Sequence, residues 1–274
     1  MAAKPVNIMK TKKIILMAAL LMAGCNGTVA QGLLTVRNEA PLNWSLRGPV
    51  KEMELQELLV FEDGEIIYED TLYQHFNEEG LLIESNSLWH EEYPYSKYLY
   101  TDGKLTEVKS WSNVDSTSTQ YHYSPDGCLS YSVTFFFENA KPVVYDTTKY
   151  HCDSLCHITM EIFHGFKDTV RCTYDEHGRM ATWCNWERCE EGCDGCTEYI
   201  YDDQGRLVKE QHRHRYSIGD KEYFYNEEGY VSDLNDSFAL EEHTHYDYTY
   251  DSHGNWLTRT NGNTIVRRKI TYYE

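Results

Sequence analysis

The residues best equipped for chemistry are nine cysteines. Cys25 stands apart near the N-terminus. The other eight, Cys128, Cys152, Cys156, Cys172, Cys184, Cys189, Cys193 and Cys196, crowd into the stretch from 128 to 196. An even number of thiols in an exported chain points to disulfides, whose connectivity a sequence leaves open. The sharper alternative is a metal site in Cys184-x4-Cys189-x3-Cys193-x2-Cys196, because zinc takes four thiolates or imidazoles at the corners of a tetrahedron and these spacings are loosely compatible. The compartment outweighs the spacing, so all eight are disulfide candidates. Two histidine pairs, His212/His214 and His243/His245, have the i, i+2 spacing that puts both imidazoles on one face of a strand. They are weak metal candidates, since they fall in different segments that need not touch. Polar positions on the solvent face of a sheet are the preferred reading, and no metal or cofactor is expected.

Aromatic side chains offer a second kind of chemistry. Six tryptophans and 23 tyrosines could stack sugars or peptides, but aromatics are also what pleated surfaces use for cross-strand packing. Most tyrosines belong to a repeated framework. Trp89 and Trp111 do not, following the nearest glycine of that framework by nine and eight residues, and they are the ligand-binding candidates. Catalytic patterns are missing from the sequence: it has no GxSxG elbow, HExxH, phosphate loop or dinucleotide fingerprint. Acidic pairs such as Glu78-Glu79 and Glu227-Glu228 read as solvated corners. The expectation is a protein that is not an enzyme.

The elements that must position these residues show as an internal repeat. An aromatic residue, a short polar stretch, a glycine and an apolar residue two places later recur along the chain. The clearest copies are Phe76 to Gly80 with Leu82, Tyr123 to Gly127 with Leu129, Tyr174 to Gly178 with Met180, Tyr201 to Gly205 with Leu207, Tyr225 to Gly229 with Val231, and Tyr250 to Gly254 with Trp256. Tyr100 to Gly103 with Leu105 is one residue shorter, and a degenerate copy runs from Tyr150 through Ser154 to Cys156. The glycine or its substitute falls at 80, 103, 127, 154, 178, 205, 229 and 254. Phe61 to Gly64 with Ile66 reads as an incomplete opening copy, with Gly48-Pro49-Val50 leading into the first strand.

Each copy reads as a hairpin. Tyrosines alternate before the turn, as in Tyr98/Tyr100 and Tyr223/Tyr225, which places both rings on one face of a strand. Asn, Asp or, at position 124, Ser opens the corner and glycine closes it where a positive φ is needed. A type I turn with a glycine bulge is a common hairpin connection. A lone hairpin is marginal in water, so the units must stack. The fold expected is all-β, a long twisted antiparallel sheet of hairpin repeats of about 25 residues, either open as a solenoid or curled into a partly closed shell, with the tyrosine rows as its core. The polar runs Ser112 to Gln120 and Ser217 to Lys221 read as distal loops.

The N-terminus reads as an export signal: Lys10, Lys12 and Lys13 precede an apolar run from Ile14 to Ala23 too short to span a bilayer. Two cleavage readings stay open. Leu21-Met22-Ala23-Gly24-Cys25 resembles the lipobox of bacterial lipoproteins, which would make Cys25 the lipidation site. Thr28-Val29-Ala30 before Gln31 suits an ordinary signal peptidase. The organisation is then a signal over 1–30, a lead-in over 31–48 and a repeat domain over 49–274 with a Cys-rich section at 128–196. The protein is expected at the outer membrane or cell surface as a lipoprotein, or in the periplasm or medium if cleaved after Ala30, touching a membrane only through that anchor. Residues 1–30 hold four of the 25 basic residues and none of the 44 acidic ones, so the mature chain carries 21 against 44, a net −23. That balance argues against nucleic acid as a partner.

Tyr201-Asp202-Asp203-Gln204-Gly205-Arg206-Leu207 resembles the YD repeat of RHS-type proteins, with Tyr174-Asp175 to Gly178-Arg179 and Tyr250-Asp251 to Gly254 as further matches. The resemblance covers roughly residues 50 to 274, and three copies keep the Tyr-Asp pair. The closing stretch from Gly254 to Tyr273 is similar to the last repeat of small exported bacterial YD-like proteins. The aromatic-glycine-leucine spacing more weakly resembles MORN-type immunity proteins. RHS membership implies a β-shell that encloses or displays a partner. The function expected is exported recognition or scaffolding of a protein or glycan, with an immunity or accessory role beside a secreted toxin as the alternative and a glycan-active hydrolase third.

Overall fold

The computed structural model describes residues 46–60, 66–87, 95–111, 116–138, 141–164, 168–185, 195–214, 217–239 and 242–274. Among these there are nineteen strands and no helix. The first nine are β1 (Val50–Val60), β2 (Ile66–Phe76), β3 (Leu82–Ser87), β4 (Tyr95–Thr101), β5 (Lys104–Trp111), β6 (Ser116–Tyr123), β7 (Leu129–Glu138), β8 (Lys141–Cys152) and β9 (Ile158–Phe163). Then come β10 (Asp168–Tyr174), β11 (Met180–Asn185), β12 (Gly195–Tyr201), β13 (Leu207–His214), β14 (Ser217–Tyr225) and β15 (Val231–Asp236). The last are β16 (His243–His245), β17 (Asp247–Tyr250), β18 (Trp256–Thr260) and β19 (Thr264–Tyr272).

Each strand from β1 to β15 pairs antiparallel with the next, β15 pairs with β16, and β17, β18 and β19 continue the meander. β19 then pairs with β1, from Val50↔Tyr272 to Leu59↔Thr264. β16 and β17 are two parts of one strand interrupted at Tyr246, and the sheet is nearly closed into a barrel around this step. Closure removes the exposed edges an open sheet of this length would present.

Six of the framework turns have the expected chemistry. Asp202 accepts hydrogen bonds from the backbone N–H groups of Gln204 and Arg206, at 2.9 and 2.8 Å, and Gly205 sits at φ 81°. A register shift follows at Tyr201↔Leu207, the bulge that such a turn brings. The short copy differs because Asp102 and Gly103 both have positive φ, the two-residue turn whose twist matches that of its strands. All these turns lie at one rim of the barrel, and the opposite ends of the paired strands lie towards the other.

The degenerate copy corrects the sequence reading. Its glycine place is filled by Cys156, at φ 66°, and not by Ser154, while Asp153 opens the turn and Ile158 follows it. The aromatic place falls to Cys152, whose thiol donates to the carbonyl of Leu129 at 3.4 Å. Two further expectations fail. Ser116–Tyr123 and Ser217–Tyr225 are strands, although their polar N-terminal halves suggested loops. Polar residues there are paired across the sheet, as in Thr119 with Thr134 at 3.1 Å and Ser118 donating to Glu107 at 2.6 Å. Residues 61–64, the incomplete opening copy, lie outside the described residues.

The inner face is apolar towards the turn rim. Tyr98, Tyr121, Tyr199 and Tyr223 are buried there among Leu82, Leu105, Leu129, Ile158, Met180, Leu207 and Val231. The tyrosine nearer each turn has a second task. Main-chain pairing between successive hairpins stops short of the turn, at Lys209↔Glu222 for β13 and β14, for example, which leaves the carbonyl of Leu207 beyond the ladder. The Tyr225 hydroxyl donates to it at 2.6 Å. Tyr100 to Leu82, Tyr123 to Leu105, Tyr174 to Ile158 and Tyr201 to Met180 repeat the contact at 2.8 to 3.0 Å. Each latch is worth about 1 kcal/mol, and more if a buried carbonyl would otherwise go unsatisfied. Burial pushes Tyr201 up to about 12, so its hydroxyl stays a protonated donor.

At four turns the residue after the glycine place completes the seam. Arg179 and Arg206 bond the aspartates of their own turns at 2.7 Å and lie 4.6 Å over the rings of Tyr201 and Tyr225 in the next repeat. Lys104 and His157 cover Tyr123 and Tyr174 in the same way. The glycine of the next turn leaves room for them, since a Cβ on Gly127 would lie 2.7 Å from Lys104 Nζ. The disulfide Cys128–Cys156 occupies this same relation, joining the residue after one glycine to the glycine place of the next turn. Where the other repeats touch, this one is covalently tied.

Candidate functional site

Because the turn rim is filled by contacts between repeats, the candidate sites lie nearer the other rim. Trp111 ends β5 and is 37% exposed. It lies directly across from Tyr95, the first residue of β4, with ring centroids 5.4 Å apart and planes tilted by 36°. Alternation sets their direction. Tyr98 and Ser96 point inward, so Tyr95 and Lys97 on β4, and Lys109 and Trp111 on β5, share the outer face. Lys97 reaches Glu84 of β3 at 3.1 Å, and Lys109 reaches Glu107 at 3.2 Å. The Lys97 hydrogen bond holds the Glu84 carboxyl below its ordinary value, and the Tyr95 hydroxyl and Glu84 together raise Lys97. Burial pushes Glu107 up, but hydrogen bonds from Ser118 and Lys109 outweigh it and keep this carboxyl low too. The result is an aromatic pair flanked by two compensated ion pairs. Trp89, the other ligand-binding candidate, lies outside the described residues.

A second polar group lines the inner wall. Glu210 is buried, receives the Tyr223 hydroxyl at 2.8 Å and has His212 Nε2 3.1 Å from its other oxygen. The opposite ring nitrogen of His212 meets the Thr197 hydroxyl at 3.0 Å. Burial first, and the Glu210 charge second, hold the Tyr223 hydroxyl far above its usual range, so it donates and does not ionise. This buried polar network links β12, β13 and β14 through the Thr197–His212 and Tyr223–Glu210 hydrogen bonds, while the approach of His212 Nε2 to Glu210 lacks hydrogen-bond geometry.

The histidine pairs are not brought together. His212 is on the inner wall, whereas His243 and His245 face outward on β16. His245 Nδ1 lies 2.7 Å from Asp233 Oδ1, and His243 Nδ1 is 2.9 Å from Asn235 Oδ1. The backbone of His214 pairs with Gly195 and Ser217. Among the described residues no cluster of three or more His, Cys, Asp or Glu side chains is arranged to hold a metal.

The bond with Asp233 raises His245, and the bond with His245 lowers Asp233. A raised histidine contributes stability below its unfolded value, near 6.5, that is lost as pH rises through the folded value. A lowered aspartate contributes above 3.8 and loses it as pH falls through the folded value. The pair should therefore stabilise most between those limits. Urea titrations of His245→Gln are expected to show a small loss at pH 5.5, reduced by solvent screening, and none at pH 9. An equal loss at both would mean that packing, not charge, is what His245 supplies.

The cysteines divide. Cys128 pairs with Cys156, Cα atoms 5.0 Å apart, and Cys184 with Cys196, Cα atoms 4.1 Å apart at directly opposed positions of β11 and β12. The second bridge takes two of the four proposed zinc ligands. Cys152 and Cys172 belong to neither of these two bridges: their framework places turn them to the inner face, while the bridging pairs lie along the rim and on the outer face. Cys189 and Cys193 lie outside the described residues, as does Cys25.

Reasoning from sequence missed Tyr95 as the partner of Trp111 and missed Glu210 altogether. Parity could have found the first, since odd positions in β4 oppose the inward Tyr98 and Tyr100. Nothing local marks Glu210 among 44 acidic residues.

The sequence matches no family model and no curated protein. Several solved structures are similar in shape. A porin-like protein from Bacteroides uniformis aligns over 82% of this chain and 99% of its own, at 12% identity and a TM-score of 0.46. A porin-like protein from Bacteroides vulgatus aligns over 80% and 97%, at 12% identity and a TM-score of 0.27. The TcdB2-TccC3-TEV structure aligns over 74% of this chain and 13% of its own, at 13% identity and a TM-score of 0.29.

Proposed function

We propose that this chain is an exported, non-enzymatic recognition protein of the cell envelope, built as a nearly closed barrel of YD-like hairpin repeats, whose outer wall meets a protein or glycan. The observation that carries the reading is the division of labour between the rims. At the turn rim the tyrosine hydroxyls and the residues after the glycines serve the neighbouring repeat, so repetition there supports the scaffold. Near the other rim stands a Trp–Tyr pair that no repeat requires, with Trp111 exposed and Tyr95 half-buried. Two disulfides agree with an oxidising compartment, and the signal-like N-terminus with export.

The test uses the chain from residue 31 onward, immobilised on a biosensor and exposed separately to polysaccharide and envelope-protein fractions of the native host. Saturable binding to one fraction, abolished by prior thermal unfolding and without release of cleavage products, is the expected result. Release of reducing sugar or peptide fragments would replace this reading with an enzyme. Palmitate labelling that depends on Cys25 would place the protein on a lipid anchor, and an unlabelled product starting at Gln31 would place it free.

A further inference from the structure

The geometry points to a subsite for one ring of a neutral glycan on the outer face of β4 and β5, with Trp111 and Tyr95 as the stacking surface and Lys97, Glu84, Lys109 and Glu107 as its polar flank. This rests on the recognition reading above and names the ligand class. A pyranose presents an apolar face of C–H groups bounded by hydroxyls, and two adjoining aromatic rings match the first while ammonium and carboxylate groups match the second.

The surroundings exclude other occupants. The two ion pairs leave the patch without net charge, and the chain as a whole carries −19, which disfavours anionic polymers. β4 and β5 are each paired on both sides, so an extended peptide cannot add as a strand. Neither ring takes part in the framework: Tyr95 and Trp111 face away from the tyrosine core, and their contact lies outside the two core clusters. A purely structural cross-strand pair would supply only a modest increment to sheet stability.

The experiment is calorimetric titration of the chain from residue 31 onward with cellohexaose, xylohexaose, mannohexaose and maltohexaose, and with a proline-rich decapeptide as the rival aromatic-groove ligand. At least one hexasaccharide is expected to bind and to change tryptophan fluorescence. Trp111→Ala should weaken that binding at least tenfold with an unchanged melting temperature, and Trp111→Phe should stay within threefold of the parent. If Trp111→Ala does not fold, Lys97→Met, which leaves both rings in place, reads the site from its polar side: a fivefold loss supports the subsite and unchanged affinity overturns it. Binding that survives Trp111→Ala, or binding of the decapeptide alone, also overturns it. If no hexasaccharide binds, the subsite is wrong while the recognition reading stands or falls separately on the envelope-protein fraction.

Discussion

Replacing Trp256 with alanine is expected to destabilise the protein by about 3–5 kcal/mol, the range for removing a fully buried large aromatic side chain. Trp256 is 1% exposed and takes the apolar place after Gly254 that leucine, methionine or valine takes in other repeats. Its ring packs with Leu55, Leu72 and Val266, residues of β1, β2 and β19, so it joins the last hairpin to the first strands. The guanidinium of Arg268 lies 3.4 Å over the ring, and alanine would leave that buried cation facing a void. Equilibrium urea unfolding followed by circular dichroism measures the loss. Limited proteolysis should show earlier cleavage in β1 and β19 than in β13 to β15. Trp256→Phe should recover part of the stability. A loss below 1 kcal/mol would mean that the closing strands hold without this cluster.

Removing the Cys128–Cys156 bridge is the second large effect. Its ends are 28 residues apart, and loop-closure entropy puts its contribution at about 3.5 kcal/mol, against about 3 kcal/mol for Cys184–Cys196 with a separation of 12. The replacement chosen for Cys156 matters, because this residue holds φ 66°. Cys128→Ala with Cys156→Ala loses the bridge and keeps a side chain in a conformation that disfavours one. Cys128→Ala with Cys156→Gly restores the residue that seven other turns use, and should be the more stable of the two by about 1 kcal/mol. Hydrogen exchange on the intact protein, with and without reductant, should show β7 to β11 loosening before β13 to β15. Equal loosening throughout would show that the bridges act on the whole barrel and not on the section they span.

Much of this was legible because the repeat encodes its own local structure. The sequence Tyr-Asp-Asp-Gln-Gly-Arg-Leu at 201–207 specifies a turn through the aspartate side chain, a positive φ through glycine and a return strand through leucine, all within seven residues. The same logic misplaced the degenerate copy by two residues, since serine looked like the natural substitute for glycine. Cysteine occupies that place because the bridge to Cys128 offsets the strain, a partner that lies 28 residues away. Ser112 to Gln120 misled for a related reason. Serine and threonine suggest a loop when read alone, and only the neighbouring strands supply the hydroxyls and carboxylates that satisfy them on a sheet.

The sequence by itself determined the all-β class, the hairpin period, the inward tyrosine rows and the spacing of the turns, because each depends on residues a few positions apart. Closure was decided by the tertiary structure. It depends on accumulated twist over the whole chain and on pairs such as Val50 with Tyr272, and on Asn255, which holds the backbone N–H and carbonyl of Arg47 from 208 residues away. The cysteine pairing was decided there too, since it required knowing which positions oppose one another across adjacent strands. So was the union of Trp111 with Tyr95: two residues 16 apart in sequence become a single surface only when β4 and β5 lock into the register that sets them opposite each other.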